Sequence, residues 1–248
     1  MIFLNFPFGF DVKRTLEVGS VWLFWDPTFL ILIPAFLLAL WAQILVQSTY
    51  SRYSQVESSL GMTGAELARR LLEAAGIYDV RVEMVSGWLT DHYDPREKVV
   101  RLSRATYSSR SVAALGVVAH EVGHAIQHKE KYAPLVLRDL SVPLAVAGSN
   151  FAWIIFILGL FMAAPFLLKI GIILFVFVVA FSLITLPVEF DASYRAVKQL
   201  RVFMPSSELQ GVKKVLTAAA MTYVASAAIA ILQLIRMLLI AGMFGDRE

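Results

Sequence analysis

Four long apolar stretches constrain the fold of this chain more than any other feature of its sequence. They cover residues 23–46, 143–164, 166–187 and 216–243. Each approaches or exceeds the roughly 20 apolar residues that a helix needs to cross the hydrocarbon core of a bilayer. Hydrophobic residues make up 58% of the chain, above the roughly 45–50% that is typical of soluble domains. We therefore predict an α-helical integral membrane protein with four transmembrane helices embedded in a lipid bilayer.

The second and third stretches form a predicted hairpin over 143–187, because little more than Pro165 separates them. Four crossings put residues 47–142 and 188–215 on one side of the membrane, and both termini on the other. The first side holds 17 of the 22 Lys and Arg residues. Because positive charge accumulates on the cytoplasmic side, we predict that 47–142 is a cytoplasmic insert and that both termini lie outside.

Residues 1–22 form an N-terminal segment whose aromatic run, FLNFPFGF, fits either an interfacial segment or an ordinary mobile terminus. The first apolar stretch is too long for the core of a cleaved signal peptide, and no small-residue cleavage site follows it. The absence of cysteine excludes disulfides, thiolate ligands and a thiol nucleophile. The net charge of +3 is too modest to suggest a nucleic-acid partner.

The insert over 47–142 is predicted to be a small α+β unit. It begins with the capping box TGAE at 63–66, which starts a helix. Alternating or β-branched sequences predict strands over 79–85 and 97–103, separated by a turn at DHYDPRE. A single long helix follows over about 109–130.

This last helix carries the sequence HEVGH, from His120 to His124. Histidines four residues apart lie on one face of a helix, so both imidazoles can reach one zinc ion. Glu121 lies beside that ion, where a carboxylate can take a proton from a water on the metal. His128 shares the face but lies about 12 Å from His120 along the axis, so we predict an ordinary polar role for it.

A catalytic zinc usually has three protein ligands, so a third must come from elsewhere in the chain. The metzincin pattern is excluded, because the position six residues after His124 is Glu130. His92 is one candidate. Glu189 and Asp191 are more attractive, because they follow the third span and the hairpin returns the chain beside the zinc helix.

Between the two carboxylates, the spacing of neighbouring charges favours Glu189. Asp191 lies four residues before Arg195, which suits a helical ion pair, whereas Ser193 lies four residues after Glu189. A carboxylate at the exit of a membrane span is costly unless a cation satisfies it. We therefore predict that Glu189 binds the metal and that Asp191 supports it.

The chain resembles the bacterial membrane-bound neutral zinc metallopeptidases of the YugP-like family. The resemblance extends from residue 26 to about 228 and rests on the stretches DPTFLILIPAFLLALWAQ, DHYDPREKVVRLS, AHEVGHAIQH, LPVEFDASYRA and AAAMTYVASA. More distantly, the hairpin plan resembles the CAAX prenyl proteases, in which the Glu of a Glu-x-x-Ala-Asp pattern is the third zinc ligand.

These resemblances imply a bacterial inner-membrane enzyme with His120, His124 and Glu189 as zinc ligands and Glu121 as the base. The chain departs from the distant relatives after Glu189, because the next acidic residue is Asp191, two positions on. Together with the motif, they predict a zincin-like insert and a gluzincin-like zinc metalloendopeptidase. Its predicted reaction is hydrolysis of polypeptides at the cytoplasmic membrane face, with the third ligand in the loop 188–215.

Two other functions remain open alternatives. An intramembrane protease would carry His-Glu-x-x-His inside a span, whereas polar sequence flanks the motif here. A catalytically inactive, metal-binding membrane adaptor would not need Glu121. For the peptidase, the side chains considered for stabilising the oxyanion are those of His92, Tyr194, Arg195 and Tyr223. The strand predicted over 97–103 could bind substrate as an added strand.

Overall fold

The computed structural model describes residues 27–87 and 90–245. The predictions for 1–22, and for the start of the first span, lie outside these residues. The described chain is mostly helical and contains one small sheet. Its helices are α1 (Ile33–Ser54, after a 3-10 turn at Pro27–Leu32), α2 (Gly64–Ala74), α3 (Arg104–Tyr107), α4 (Val112–Lys129), α5 (Ala133–Phe161), α6 (Pro165–Leu200) and α7 (Ser206–Gly245). Its strands are β1 (Arg81–Val85), β2 (His92–Asp94) and β3 (Val99–Ser103).

The described residues confirm the prediction of four candidate membrane-spanning helices. These are long and apolar enough over Pro27–Ser54, Ala133–Phe161, Pro165–Leu200 and Ser206–Met243. They exceed the predicted stretches because each helix continues into more polar sequence. In α6 the helix runs through Pro187 without ending, as spanning helices often tolerate. Glu189 therefore lies on the same continuous helix as the third span.

One compact unit contains residues up to 38, 140–183 and residues from 226 onward. Here α5 and α6 form the predicted hairpin, with their ends joined by 162–164. A Cβ atom at Gly148 would stand 2.4 Å from the carbonyl oxygen of Leu174. Glycine therefore permits this close helix contact, as small residues commonly do in membrane proteins. Ala152 and Phe156 are fully buried in the same unit.

The other compact unit contains residues 39–139 and 184–225. The predicted capping box is confirmed: the Thr63 hydroxyl accepts a hydrogen bond from the Glu66 N–H, and the Glu66 carboxylate accepts one from the Thr63 N–H. Gly76 follows the end of α2 with a φ of +65°, a conformation that favours glycine. The core of this unit is built from α2, α4, β3 and the adjoining parts of α6 and α7.

The sheet has the order β1-β3-β2, with β1 parallel and β2 antiparallel to β3. The short strand β2 was not predicted, and it occupies part of the predicted turn. Asp94, at the end of β2, accepts hydrogen bonds from the backbone N–H groups of Arg96 and Glu97. The turn is therefore shorter than predicted and lies at these residues. The suggestion that 97–103 accepts a substrate strand is wrong, because β3 is paired on both edges.

Candidate metal centre

The histidine pair lies on α4, which is anchored in the core by its other faces. The helix begins at Val112 rather than at 109, because Ser111 caps it by accepting a hydrogen bond from the Ala114 N–H. The rings of His120 and His124 lie edge to face, with centroids 4.7 Å apart. The two imidazoles therefore face a common volume, as their four-residue spacing predicted.

A close approach of α4 and α6 brings the Glu189 carboxylate to the two histidines. A Cβ atom at Gly123 would stand 2.7 Å from the carbonyl oxygen of Ala192. The glycine between the two histidines thus lets the backbones touch. As a result, Glu189 Oε2 lies 3.2 Å from His120 Nε2 and 3.7 Å from His124 Nε2.

The three side chains fit a zinc ion. One ligand atom from each of His120, His124 and Glu189 can be chosen so that all lie within 4.8 Å of one another. Two imidazole nitrogens and one carboxylate oxygen match the protein ligands of known catalytic zinc sites, which leave a fourth position for water or substrate. The exposed fractions of the side chains are 15%, 11% and 6%, so the group is shielded from bulk water.

The electrostatics of the metal-free group also favour a cation. Burial lowers the pKa of His124, but its hydrogen bond to the Glu189 carboxylate and the negative charges of Glu121 and Glu189 outweigh burial, so the pKa is raised overall. A raised histidine pKa means that the surroundings stabilise positive charge. A metal ion would supply that charge.

The second nitrogen of each imidazole has its own polar partner. His124 Nδ1 lies 3.0 Å from Gln127 Oε1, and His120 Nδ1 lies 3.2 Å from Ser193 Oγ. Such partners fix the ring orientation and the tautomer of metal-binding histidines. With Nδ1 occupied, both Nε2 atoms are left to face Glu189.

Gln127 links this site to Asp191. Its fully buried amide donates hydrogen bonds of 2.8 Å to the Val188 carbonyl oxygen and to the Asp191 carboxylate. Asp191 also accepts from Arg195 at 2.5 Å, which is the predicted helical ion pair. Sequence reasoning missed Gln127, although its position three residues after His124 on one helix was an available signal.

Two cavities, each of about 200 Å³, meet at the metal centre. Five residues line both cavities, namely Asp91, His120, Glu121, Glu189 and Tyr223. The apolar cavity is completed by Val46, Tyr50, Val117, Ser193, Val215, Leu216, Ala219 and Ala220. The polar cavity is completed by His92, Tyr93, Pro95, His124, Leu135 and Arg138. Glu121, only 8% exposed, therefore lines both cavities that adjoin the metal-binding group.

A sequence model of the family described as "Putative neutral zinc metallopeptidase" matches residues 28–242. The chain belongs to this family. It is also similar to the protein named "Putative membrane protease YugP" from Bacillus subtilis (strain 168), with 51% identity over 211 residues that cover 84% of this chain and 93% of that protein. No solved structure matches the chain.

Membership confirms the predicted family resemblance and zinc as the metal. In this family member, His120, His124 and Glu189 form the candidate site for that zinc. The membrane protease from Bacillus and the four apolar helices together indicate a multi-pass membrane protein.

Of the four side chains considered for stabilising the oxyanion, two line the cavities and two do not. Tyr223 lines both cavities and His92 lines the polar one. Tyr194 is 66% exposed, and Arg195 is paired with Asp191 and Glu130. Neither of these two lines the cavities, so neither is placed to contact a reacting group.

The polar cavity is also lined by Tyr93 and Arg138. Burial raises the pKa of Tyr93 to about 12, so its hydroxyl stays protonated; it lies 2.8 Å from His128 Nδ1. His128 therefore has the ordinary polar role that its distance along the helix predicted. Sequence reasoning did not single out Arg138, whose guanidinium lies 3.7 Å from Glu189 Oε1.

Proposed function

We propose that this protein is a zinc metalloendopeptidase of the gluzincin type, which hydrolyses polypeptides at the cytoplasmic face of a bacterial inner membrane. The observation that carries the proposal is the convergence of His120, His124 and Glu189 within 4.8 Å, with Glu121 lining the adjoining cavities. Metal binding alone requires the first three. The buried carboxylate of the fourth residue, Glu121, favours a hydrolase over an inactive adaptor.

In the proposed mechanism, His120, His124 and Glu189 would hold the zinc. The bound ion would supply a Lewis acid for the scissile carbonyl and would lower the pKa of a water molecule. Glu121 takes the proton of the attacking water and passes it to the leaving amine. Because Glu121 lines both cavities, it is placed to contact a peptide bound in either of them. Gln127 and Ser193 keep the imidazole rings of His124 and His120 in a fixed orientation during the reaction.

The oxyanion that develops during attack needs a hydrogen-bond donor. We assign this role to the Tyr223 hydroxyl, because Tyr223 lines both cavities beside His120 and Glu121. The guanidinium of Arg138 lies 3.7 Å from Glu189 Oε1 and stabilises the charge of that carboxylate. Glu189 would hold the metal together with His120 and His124, whose Nε2 atoms lie 3.2 and 3.7 Å from its Oε2.

The strand β2 is the proposed binding edge for the substrate backbone. It is an edge strand of the sheet, and residues 91–93 line the polar cavity. A peptide added to a sheet edge is held extended through its main chain, which suits a peptidase that accepts more than one sequence.

The zinc helix itself, Val112–Lys129, is not among the candidate spanning helices of the described chain. This supports a peptidase at the membrane face over an intramembrane protease. The excess of Lys and Arg in 47–142 and 188–215 supports placing that face in the cytoplasm.

The test is to measure zinc content and casein cleavage for purified wild-type protein and for Glu121→Gln. We expect stoichiometric zinc in both proteins and cleavage by the wild type alone, because the amide preserves the shape of the site and removes the base. Glu73→Gln, at an exposed position on α2, is the matched control and should cleave normally. Equal cleavage by Glu121→Gln would refute the mechanism.

A further inference from the structure

Most residues that line the apolar cavity have no role in the proposed reaction. Beyond the residues shared with the polar cavity, its wall is dominated by Val46, Val117, Val215, Leu216, Ala219 and Ala220. His120, Glu121 and Glu189 also line this cavity. A pocket that opens directly onto the reacting groups is placed to hold the part of a substrate nearest the scissile bond.

We propose that this cavity binds a large apolar side chain of the substrate residue beside the scissile bond, so that the enzyme cuts next to bulky hydrophobic residues. The proposal rests on the proposed peptidase function and names its substrate class. The substrates are polypeptide segments that expose such residues, as unfolded or membrane-proximal segments do.

The chemistry of the wall selects against charged side chains. An apolar side chain gains roughly 25 cal/mol for each Å² of surface removed from water, whereas a charged one would lose its hydration among valine, leucine and alanine. Glu121 and Glu189 would also repel a substrate carboxylate. The carboxylate of Asp91 is already engaged by the backbone N–H and the hydroxyl of Ser103, at 2.8 and 3.1 Å.

The size of the cavity argues for one side chain rather than a lipid tail. Its volume is about 200 Å³, below the roughly 300 Å³ at which pockets for larger ligands begin. Ala219 and Ala220 contribute the smallest side chains of the wall, so a larger residue at either position would take up the space that a substrate side chain needs.

The test begins with one casein peptide whose cleavage site has been mapped by mass spectrometry. Each residue flanking the scissile bond is then replaced in turn by Phe, Leu, Ala, Asp or Lys, and kcat/KM is measured. At one of the two positions we expect Phe or Leu to be preferred over Ala by about tenfold or more, which is the discrimination that hydrophobic pockets provide.

Substitutions of residues that line the cavity test whether the preference for apolar substrate residues arises there. Ala219→Leu should lower the Phe to Ala ratio of kcat/KM by about tenfold while the Ala peptide is still cleaved. Val46→Ala should improve cleavage of a Trp peptide. Thr217→Leu, on the exposed side of the same helix, is the matched control and should leave every ratio unchanged.

A binding measurement separates this proposal from the peptidase mechanism. Zinc-loaded Glu121→Gln should bind the Phe peptide about tenfold more tightly than the Ala peptide, and adding Ala219→Leu should abolish the difference. A wild-type protein that cleaves casein but prefers Lys or Asp, or shows no preference, overturns the pocket and leaves the peptidase intact. An Ala219→Leu variant that releases a co-purified lipid without changing peptide selectivity overturns it too.

Discussion

Gly123 of α4 touches the backbone of α6 at Ala192, and a Cβ atom on Gly123 would stand 2.7 Å from the Ala192 carbonyl oxygen. This contact sets the distance between the helix that carries the histidines and the helix that carries Glu189. A glycine inside a helix costs about 1 kcal/mol relative to alanine. Here it permits an approach that a side chain would prevent.

Gly123→Ala should therefore separate the two helices and weaken zinc binding. We expect a loss of about 1–3 kcal/mol in stability from overpacking, and a lower zinc affinity in a competition titration with a chelator. The control is Gly116→Ala on the same helix, where the added Cβ meets a Val212 methyl group at 3.2 Å. If both variants bind zinc like the wild type, the backbone contact does not position the site.

Gln127→Leu should reduce zinc affinity by about 10–100-fold, the range typical for removing a partner of a metal-binding histidine. The leucine removes the hydrogen bonds that Gln127 makes to His124 Nδ1, to Asp191 and to the Val188 carbonyl oxygen. Gln199→Leu, where the amide has only a long bond of 3.4 Å to a backbone oxygen, is the matched control. Unchanged affinity in Gln127→Leu would show that the amide does not orient the imidazole.

Glu189→Ala should fail to retain zinc under conditions that saturate the wild-type protein, because it removes a proposed ligand. Asp191→Ala should lose affinity by about 100-fold at most, since Asp191 acts through Gln127. Zinc content after dialysis against graded chelator distinguishes the two variants. Loss of zinc in Asp191→Ala, with wild-type affinity in Glu189→Ala, would reverse the assignment.

The metal-free protein should become less stable as the pH rises above the pKa of His124. That pKa is raised above its ordinary value of 6.5, so protonation of His124 stabilises the fold fully below that value. The contribution disappears as the pH rises through the folded-state pKa. Thermal unfolding of chelator-treated protein on both sides of this range should show the loss, and zinc-loaded protein should lack it. A metal-free protein whose stability rises over this range would contradict the sign of the shift.

The orientation can be tested with single cysteines, because the chain contains none. Val202, 80% exposed after α6, and Met162, 46% exposed after α5, mark the two ends of the third span. A membrane-impermeant maleimide added to intact cells should label Met162→Cys and not Val202→Cys, with both labelled after lysis. Labelling of Val202→Cys from outside would put the metal site outside the cytoplasm.

The sequence alone determined the features that depend on local periodicity and chain order. Apolar runs of sufficient length predicted four spans, because bilayer thickness sets the length of a helix. The four-residue spacing of His120 and His124 placed them on one helical face. The hairpin of the second and third spans made Glu189 a candidate, because it returns the chain to the same side.

Tertiary structure alone decided which distant side chains complete the site. Ser193 approaches His120 across 73 positions of the chain, and Gln127 reaches Asp191 across 64. No local pattern encodes such pairs, because they depend on how closely two helices pack. The strand β2 forms only where β3 offers it a partner, and its three residues carry no periodicity of their own. The apolar cavity likewise forms where residues of α1, α4, α6 and α7 and Asp91 come together, and no single helix reveals that space.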